Sequence, residues 1–143
     1  YPNSEVPGVD VSQEALSIAI ENAQLNSLAV NFYHSDLLGN VDTSDLDVII
    51  ANLPYIPEEN LVGLDKEVID YEPLLALNGG EDGLEVISKL IKEIENKKLT
   101  NLMLCLEIDS TKSKKTLDLF SNWKEVKLYQ DLAERDRYVF ATR

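Results

Sequence analysis

The chain has 143 residues, a net charge of −13 and 44% hydrophobic residues. These values predict one globular domain, exclude a disordered chain and weigh against tight binding to bulk nucleic acid, which needs clustered Lys and Arg. No apolar run is long enough to cross a membrane, and the first residues lack the basic and apolar regions of a signal peptide. Cys105 is the only cysteine, so we expect a packed core thiol in a reducing compartment.

The first part of the chain predicts an alternation of strands and a helix. Residues 6–11 and 29–34 are predicted strands, and Ser12 is the predicted N-cap of the helix between them. The apolar residues of this helix recur at helical spacing and are Ala15, Leu16, Ala19, Ile20 and Ala23. A short apolar run over residues 46–51 predicts a buried strand that stops at a polar residue and a proline.

The second part begins with residues 57–77, for which we expect an irregular segment containing one helical turn. A strong helix is predicted over residues 81–97, opened by a capping box of Asp82 and Glu85. Its apolar stripe consists of Leu84, Ile87, Leu90, Ile91 and Ile94. The nearly continuous apolar run 102–108 predicts a strand covered on both faces.

The last elements are a short helix over residues 110–121 and two strands, 126–129 and 138–142, joined by a hairpin turn at 131–136. The order of elements predicts an α/β fold, with a mostly parallel sheet that ends in an antiparallel strand. A nucleotide-binding unit of this kind normally opens with a strand and a Gly-rich turn, whereas Gly8 stands alone here. We therefore expect that the N-terminal strand is missing and that residues 1–143 form a single, partial domain.

The tetrapeptide Asn52-Leu53-Pro54-Tyr55 lies at the carboxyl end of the third predicted strand. Ligands of open α/β sheets bind at this edge. The Asn52 oxygen and a nearby backbone carbonyl can each accept a hydrogen bond from a planar NH2 group, and Tyr55 can flank its plane. An ordinary turn after a strand explains the four residues equally well.

Two acidic residues follow the first two predicted strands. Asp10, followed by Val11, can accept the hydroxyls of a ribose, which indicates an adenosine-containing ligand but no particular reaction. Asp36, followed by Leu37, can accept an amino hydrogen of adenine. A solvated carboxylate and the start of a loop are the simpler alternatives for these two positions. His34 is the only histidine, and we expect a structural role for it.

A second unusual segment runs from Glu72-Pro73 to Leu84. Glu72 is held extended by the proline and is predicted to brace the loop that bears Tyr55. Gly79 and Gly80 permit positive backbone angles just before a helix. No His/Cys cluster has the spacing of a metal site, so no metal is predicted.

Together these segments resemble the HemK/PrmC family of release-factor glutamine methyltransferases. The matching pieces occur in the family order over nearly the whole chain and lie at residues 8–12, 15–16, 22–23, 35–37, 52–57, 71–73, 76–84, 106–108 and 131–137. The family motif is Asn-Pro-Pro-Tyr, so Leu53 departs from it, although Leu53 keeps the backbone carbonyl.

The resemblance implies a class I S-adenosylmethionine-dependent methyltransferase with a Rossmann-like sheet. It implies a cytoplasmic enzyme that methylates the glutamine amide in the Gly-Gly-Gln loop of peptide-chain release factors. Asp10, Val11, Asp36, Leu37 and Asn52 would bind the cofactor; Asn52, Leu53, Pro54 and Tyr55 would hold the target amide, with Glu72 in support. The family also carries an N-terminal substrate-recognition domain and a Gly-rich cofactor loop, which these residues lack, so the fragment alone is expected to be impaired.

Two alternatives remain open at this point. The rRNA adenine dimethylases carry Asn-Leu-Pro-Tyr in this form, so an rRNA or DNA amino-methyltransferase is one of them. The net charge, Ile56-Pro57 and the 72–84 segment weigh against it and against direct nucleic-acid binding. The other is an inactive, truncated methyltransferase-like module that folds but binds no cofactor. Whether the fragment pairs with itself to cover exposed sheet is left open by the sequence.

Overall fold

The computed structural model describes residues 4–143. It has two compact units, Tyr1–Asp45 and Leu46–Arg143. The predicted single domain includes residues 1–3, which lie outside the described residues, and it stays a prediction. Among the described residues, none of the helices has both the length and the apolar character that a bilayer span requires.

The first unit contains β1 (Gly8–Asp10), α1 (Gln13–Leu25) and β2 (Phe32–His34). The two strands pair in parallel, with Asp10 opposite His34. Ser12 caps the helix as predicted, since its Oγ accepts a hydrogen bond from the Ala15 backbone N–H at 3.2 Å. The strands are shorter than predicted because only three residues of each form a ladder.

The second unit opens with β3 (Val48–Ala51) and three short helices, α2 (Glu58–Leu61), α3 (Lys66–Tyr71) and α4 (Leu74–Leu77). The expectation of one helical turn between residues 57 and 77 is therefore wrong. Pro57 and Pro73 precede α2 and α4 with φ of −60° and −61°, so the proline rings set the backbone for entry into each helix. At neither N-cap does a side chain accept a hydrogen bond from the first turn, so the sequence carries no capping signal for these two helices.

The remaining elements are α5 (Glu85–Asn96), β4 (Met103–Glu107), α6 (Ser113–Asp118), β5 (Glu125–Gln130) and β6 (Asp136–Thr142). The sheet has the order β3-β4-β6-β5, with β3 and β4 parallel and β6 antiparallel to both of its neighbours. The α/β class and the antiparallel C-terminal pair are thus confirmed. The single helix predicted over residues 110–121 is instead a 3-10 turn, Ser110–Lys112, followed by α6.

The predicted capping box of α5 is wrong. Asp82 Oδ1 accepts the Leu84 N–H at 2.9 Å, and Glu85 Oε1 accepts the Glu81 N–H at 3.0 Å. Gly80 and Gly83 have positive φ of 91° and 77°, which interrupts helical geometry and moves the start of the helix to Glu85.

The core of the second unit lies on one face of its sheet. Its buried side chains come from the predicted stripe of α5 and from alternate residues of β4 and β6, and they include Ile87, Leu90, Ile91, Ile94, Leu104, Leu106, Val139 and Ala141. Successive side chains of a strand point to opposite faces. Ile50 of β3 is 82% exposed, so the expectation that the 46–51 strand is buried is wrong. Met103 is exposed and Cys105 is half-buried, so the expectations that the 102–108 strand is covered on both faces and that Cys105 is fully packed are also wrong.

Candidate functional site

The tetrapeptide forms a loop, residues 52–55, that leaves the carboxyl end of β3 as predicted. Asn52 is exposed, whereas Leu53, Pro54 and Tyr55 are half-buried. Neither the Asn52 carboxamide nor the Leu53 carbonyl is engaged by another residue of the part that the structure describes. The loop therefore offers two unused hydrogen-bond acceptors within three residues of Tyr55.

The backbone after Tyr55 is held by the turn that precedes α5. The Ile56 N–H donates to the Leu77 carbonyl at 3.1 Å, and the Gly79 N–H donates to the Ile56 carbonyl at 2.8 Å. The Glu58 N–H donates to the Gly80 carbonyl at 2.9 Å. These bonds fix the backbone direction of the 52–55 loop from the side of the two glycines.

Glycine is needed at this turn because the two backbones approach each other closely. A Cβ atom on Gly79 would lie 2.8 Å from the Tyr55 Cα, and one on Gly83 would collide with the Tyr55 carbonyl. The Lys112 ammonium anchors the same turn by donating to the Asp82 carbonyl at 2.5 Å. Of the two glycines for which the sequence permits a positive φ, Gly80 adopts one and Gly79 does not; Gly79 is instead required by its close approach to Tyr55.

The Tyr55 ring is held at its far end by two residues of the sheet. Its hydroxyl donates to Glu107 Oε1 at 3.0 Å, and the Arg137 guanidinium donates to the hydroxyl oxygen at 3.4 Å. Partial burial raises the pKa of the Tyr55 phenol above its ordinary value, and the hydrogen bond to Glu107 raises it further. Sequence reasoning gave Glu107 and Arg137 no role, although Glu107 ends a parallel strand, the same signal that identified Asp10.

The predicted cofactor residues of the first unit lie at the carboxyl ends of β1 and β2. Asp10 is exposed, its Oδ1 accepts the Ser12 N–H at 2.7 Å, and its carbonyl accepts the Ser35 N–H at 3.0 Å. Asp36 lies two residues after the end of β2, and the next residue, Leu37, adopts a positive φ of 51°. The structure thus brings Asp10 and Asp36 to one edge of the small sheet.

The structure places His34 against the end of β1 and Glu72 at the end of α3. The His34 ring nitrogen Nε2 lies 2.9 Å from the Val11 carbonyl, which joins the ends of β1 and β2 and agrees with the structural role expected for it. Glu72 lies exposed at the end of α3, where its N–H donates to the Val68 carbonyl at 2.9 Å. Its predicted support of the Tyr55 loop stays a prediction.

A large open groove of about 1050 Å³ lies elsewhere in the second unit. It is lined mainly by charged residues of α5 and of the turns beside it, including Glu81, Glu85, Lys89, Lys92, Lys112 and Lys115. Residues 52–55 do not line it. Across residues 4–143, no three His, Cys, Asp or Glu side chains are grouped as a metal site would require.

Comparisons with known proteins show that this chain is similar to methyltransferases. The family model described as "Methyltransferase small domain" matches residues 1–70. A release factor glutamine methyltransferase of Bacillus cereus is 37% identical over 97% of this chain and 51% of its own length. One from Deinococcus radiodurans is 37% identical over 99% of this chain and 51% of its own length. The chain therefore spans about half the length of the curated relatives it matches.

Solved structures show the same fold at low sequence identity. The ribosomal protein L11 methylase of Lactobacillus delbrueckii subsp. bulgaricus is similar over 98% of this chain and 58% of its own, with a TM-score of 0.61 and 18% identity. A Pyrococcus abyssi tRNA (uracil-54, C5)-methyltransferase in complex with S-adenosyl-L-homocysteine is similar over 98% of this chain and 28% of its own, with a TM-score of 0.52 and 14% identity. These likenesses place the chain in the methyltransferase fold class.

Proposed function

We propose a function on the premise that this chain is a relative of the release factor glutamine methyltransferases, a resemblance that extends over nearly all of its length. The complete protein transfers a methyl group from S-adenosylmethionine to the side-chain amide nitrogen of the glutamine in the Gly-Gly-Gln loop of peptide-chain release factors. The observation that carries this proposal is the 52–55 loop, which presents two unused acceptors, and Tyr55 soon after them, at the end of a parallel strand.

The residues of the first unit fit the proposed cofactor. One Asp10 oxygen accepts the Ser12 N–H, which fixes the carboxylate and leaves its second oxygen for the ribose hydroxyls. Asp36 and Leu37, at the end of β2, would lie beside the adenine, with Val11 next to Asp10. When bound, S-adenosylmethionine supplies an electrophilic methyl group.

The 52–55 loop would activate the target amide mainly by orienting it. An amide nitrogen is a poor nucleophile because its lone pair is delocalised into the carbonyl. Asn52 Oδ1 and the Leu53 carbonyl, by accepting the two N–H bonds, favour a geometry in which the lone pair points towards the methyl donor. Pro54 and Tyr55 shape the pocket and exclude water, and such positioning contributes several kcal/mol, up to about 11 kcal/mol in the best cases. No strong base is needed, because the nitrogen becomes acidic only after methylation.

The proposed partner is a protein rather than a nucleic acid. A net charge of −13 repels a phosphate backbone at long range, and the protein would act in the cytoplasm, where translation termination takes place. Pairing of this chain with itself through the sheet face that bears Ile50 and Phe140 also stays a prediction, and sedimentation velocity would measure it.

The test is transfer of labelled methyl from S-adenosylmethionine by the complete protein to three acceptors. These are a release factor, the same factor with the Gly-Gly-Gln glutamine changed to alanine, and rRNA. We expect label only on the unmodified release factor, at the glutamine side chain. Label on rRNA would favour the adenine-methylating alternative, which Leu53 in the tetrapeptide supports. Failure of the complete protein to bind S-adenosylhomocysteine by calorimetry would indicate an inactive methyltransferase-like protein.

A further inference from the structure

The hydroxyl of Tyr55 lies within a chain of polar contacts that the amide chemistry does not use. It donates to Glu107 Oε1 at 3.0 Å, and the Arg137 guanidinium lies 3.4 Å from the hydroxyl oxygen and 3.7 Å from Glu107 Oε1. The Glu107 and Arg137 side chains are 28% and 19% exposed, so water screens these contacts less than it would on an open surface. A hydroxyl that donates to a carboxylate forms one of the stronger kinds of protein hydrogen bond.

Arg137 is itself fixed from two sides. Its guanidinium donates to the Ile108 carbonyl at 3.4 Å, and its Nε lies 3.6 Å from Asp131 Oδ2. Asp131 belongs to the turn between β5 and β6, where its Oδ1 accepts the N–H groups of Ala133 at 2.8 Å and Arg135 at 3.0 Å. The turn therefore holds a carboxylate in place against Arg137.

The backbone fixes the relative position of Glu107 and Arg137. Glu107 ends β4 and Arg137 lies near the start of β6, and these strands are antiparallel neighbours. The Ile108 N–H donates to the Arg137 carbonyl at 2.9 Å, which closes the ladder at this end. Tyr55 thus has its backbone held by the turn before α5 and its ring held by the sheet.

We propose that Glu107 and Arg137 are positioning residues, which hold the Tyr55 ring in one orientation against the target amide. This rests on the proposed function of the 52–55 loop. A tyrosine side chain rotates about two torsions, and a ring without its hydroxyl contact would spend part of its time away from the amide. Glu107 anchors the hydroxyl, while Arg137 offsets the charge of Glu107 and is kept in place by Asp131.

A double-mutant cycle in the complete protein tests the proposal. The variants are Tyr55→Phe, Glu107→Ala and the two combined, with single-turnover methyl transfer at saturating cofactor as the readout. We expect each single change to slow transfer about tenfold, and the double variant to be no more than about twofold slower than the slower single variant, because both remove one contact. A double variant slowed about a hundredfold, the product of the two effects, would overturn it.

Two further variants separate positioning from loss of structure. Glu107→Gln keeps an oxygen that can accept the Tyr55 hydroxyl, so we expect it to recover most of the rate that Glu107→Ala loses. Glu125→Ala is the matched control, since Glu125 is exposed on β5 and pairs with Lys127 at 2.8 Å, away from these contacts. A Gln variant as slow as the Ala variant, or an equal loss in Glu125→Ala, would contradict the proposal.

A readout without substrate distinguishes this inference from the proposed function. Titration of ring-labelled tyrosine by NMR reports the phenol of Tyr55, whose neighbouring charged groups are Glu107, Arg137 and Asp109. We expect Glu107→Ala to lower the phenol pKa, and Glu125→Ala to leave it unchanged. An unchanged pKa in Glu107→Ala would refute the contact. If Glu107→Ala shifts the phenol pKa but the complete protein methylates no release factor, the contact is supported and the proposed function is wrong.

Discussion

Gly79→Ala is the change that most directly perturbs the support of the 52–55 loop. A Cβ atom at this position would lie 2.8 Å from the Tyr55 Cα and 2.9 Å from the Gly83 Cα and carbonyl oxygen. All three atoms belong to the backbone, so none can rotate away. The new methyl group must therefore push the Tyr55 backbone away from the glycine turn and distort the turn itself at Gly83.

The size of the effect follows from this distance. Ordinary contact begins at 3.4 Å, so the two segments must separate by about half an ångström. Overpacking of this kind costs about 1–3 kcal/mol, and weakening the bond from the Gly79 N–H to the Ile56 carbonyl adds up to about 1 kcal/mol. A misplacement of about 1 Å can slow a reaction about a hundredfold, so half of that predicts about a tenfold loss of turnover.

Gly63→Ala is the matched control. The nearest atom to a Cβ on Gly63 is the Asn60 carbonyl oxygen at 3.7 Å, which is ordinary contact. We expect stability within about 1 kcal/mol of the parent protein and unchanged turnover, because alanine mainly restricts the unfolded chain here. The assay measures the urea midpoint of unfolding, turnover at saturating cofactor and cofactor affinity in the complete protein. If Gly79→Ala and Gly63→Ala had the same urea midpoint, turnover and cofactor affinity, the idea that the close approach at Gly79 holds the 52–55 loop would be wrong.

Three further predictions concern single side chains. Asp10→Asn keeps an oxygen for the Ser12 N–H but loses the charge, so we expect an intact fold and about tenfold weaker S-adenosylhomocysteine binding by calorimetry; unchanged affinity would remove Asp10 from the cofactor site. The backbone N–H of Arg135 lowers the pKa of the Asp131 carboxyl. The stabilisation from Asp131 is thus complete above its unfolded pKa of about 3.9 and is lost as the pH falls through the lower folded pKa. The difference in melting temperature between the parent and Asp131→Ala should shrink below about pH 4, and a constant difference would contradict this. Burial raises the pKa of the Cys105 thiol, so thiol reagents at neutral pH should label it more slowly than free cysteine, and equally fast labelling would be inconsistent with that shift.

The elements that the sequence predicted well have signals confined to neighbouring residues. The Ser12 cap and the stripe of α5 are examples, because a cap and a helical period are both read within a few positions. The helices of residues 58–77 were missed because they are four to six residues long and lack side-chain caps on their first turns. The start of α5 was misplaced because Asp82 and Glu85 bind different backbone groups from those of a capping box.

In the candidate site too, features with a local sequence signal were predicted and long-range contacts were not. The 52–55 loop and Asp10 were predicted because each follows a strand, and ligands bind at strand ends. The contacts of Tyr55 with Glu107 and Arg137 join residues 52 and 82 positions apart, and no local pattern specifies which strands meet. The burial of only one sheet face could likewise not be predicted from the sequence, since an apolar run looks the same whether one or both faces are covered.

The most direct test of the proposed amide site is the separation of turnover from cofactor binding in Asn52→Ala. The complete protein, Asn52→Ala and the control Asn60→Ala, an exposed asparagine on α2, are compared. The readouts are labelled methyl on the release-factor glutamine and S-adenosylhomocysteine affinity. We expect Asn52→Ala to lose about a hundredfold in transfer and far less in affinity, since Asn52 is one of several expected cofactor residues, with Asn60→Ala unchanged in both. Equal losses of transfer and affinity in Asn52→Ala, or transfer at the parent rate, would contradict the assignment of Asn52 to the target amide.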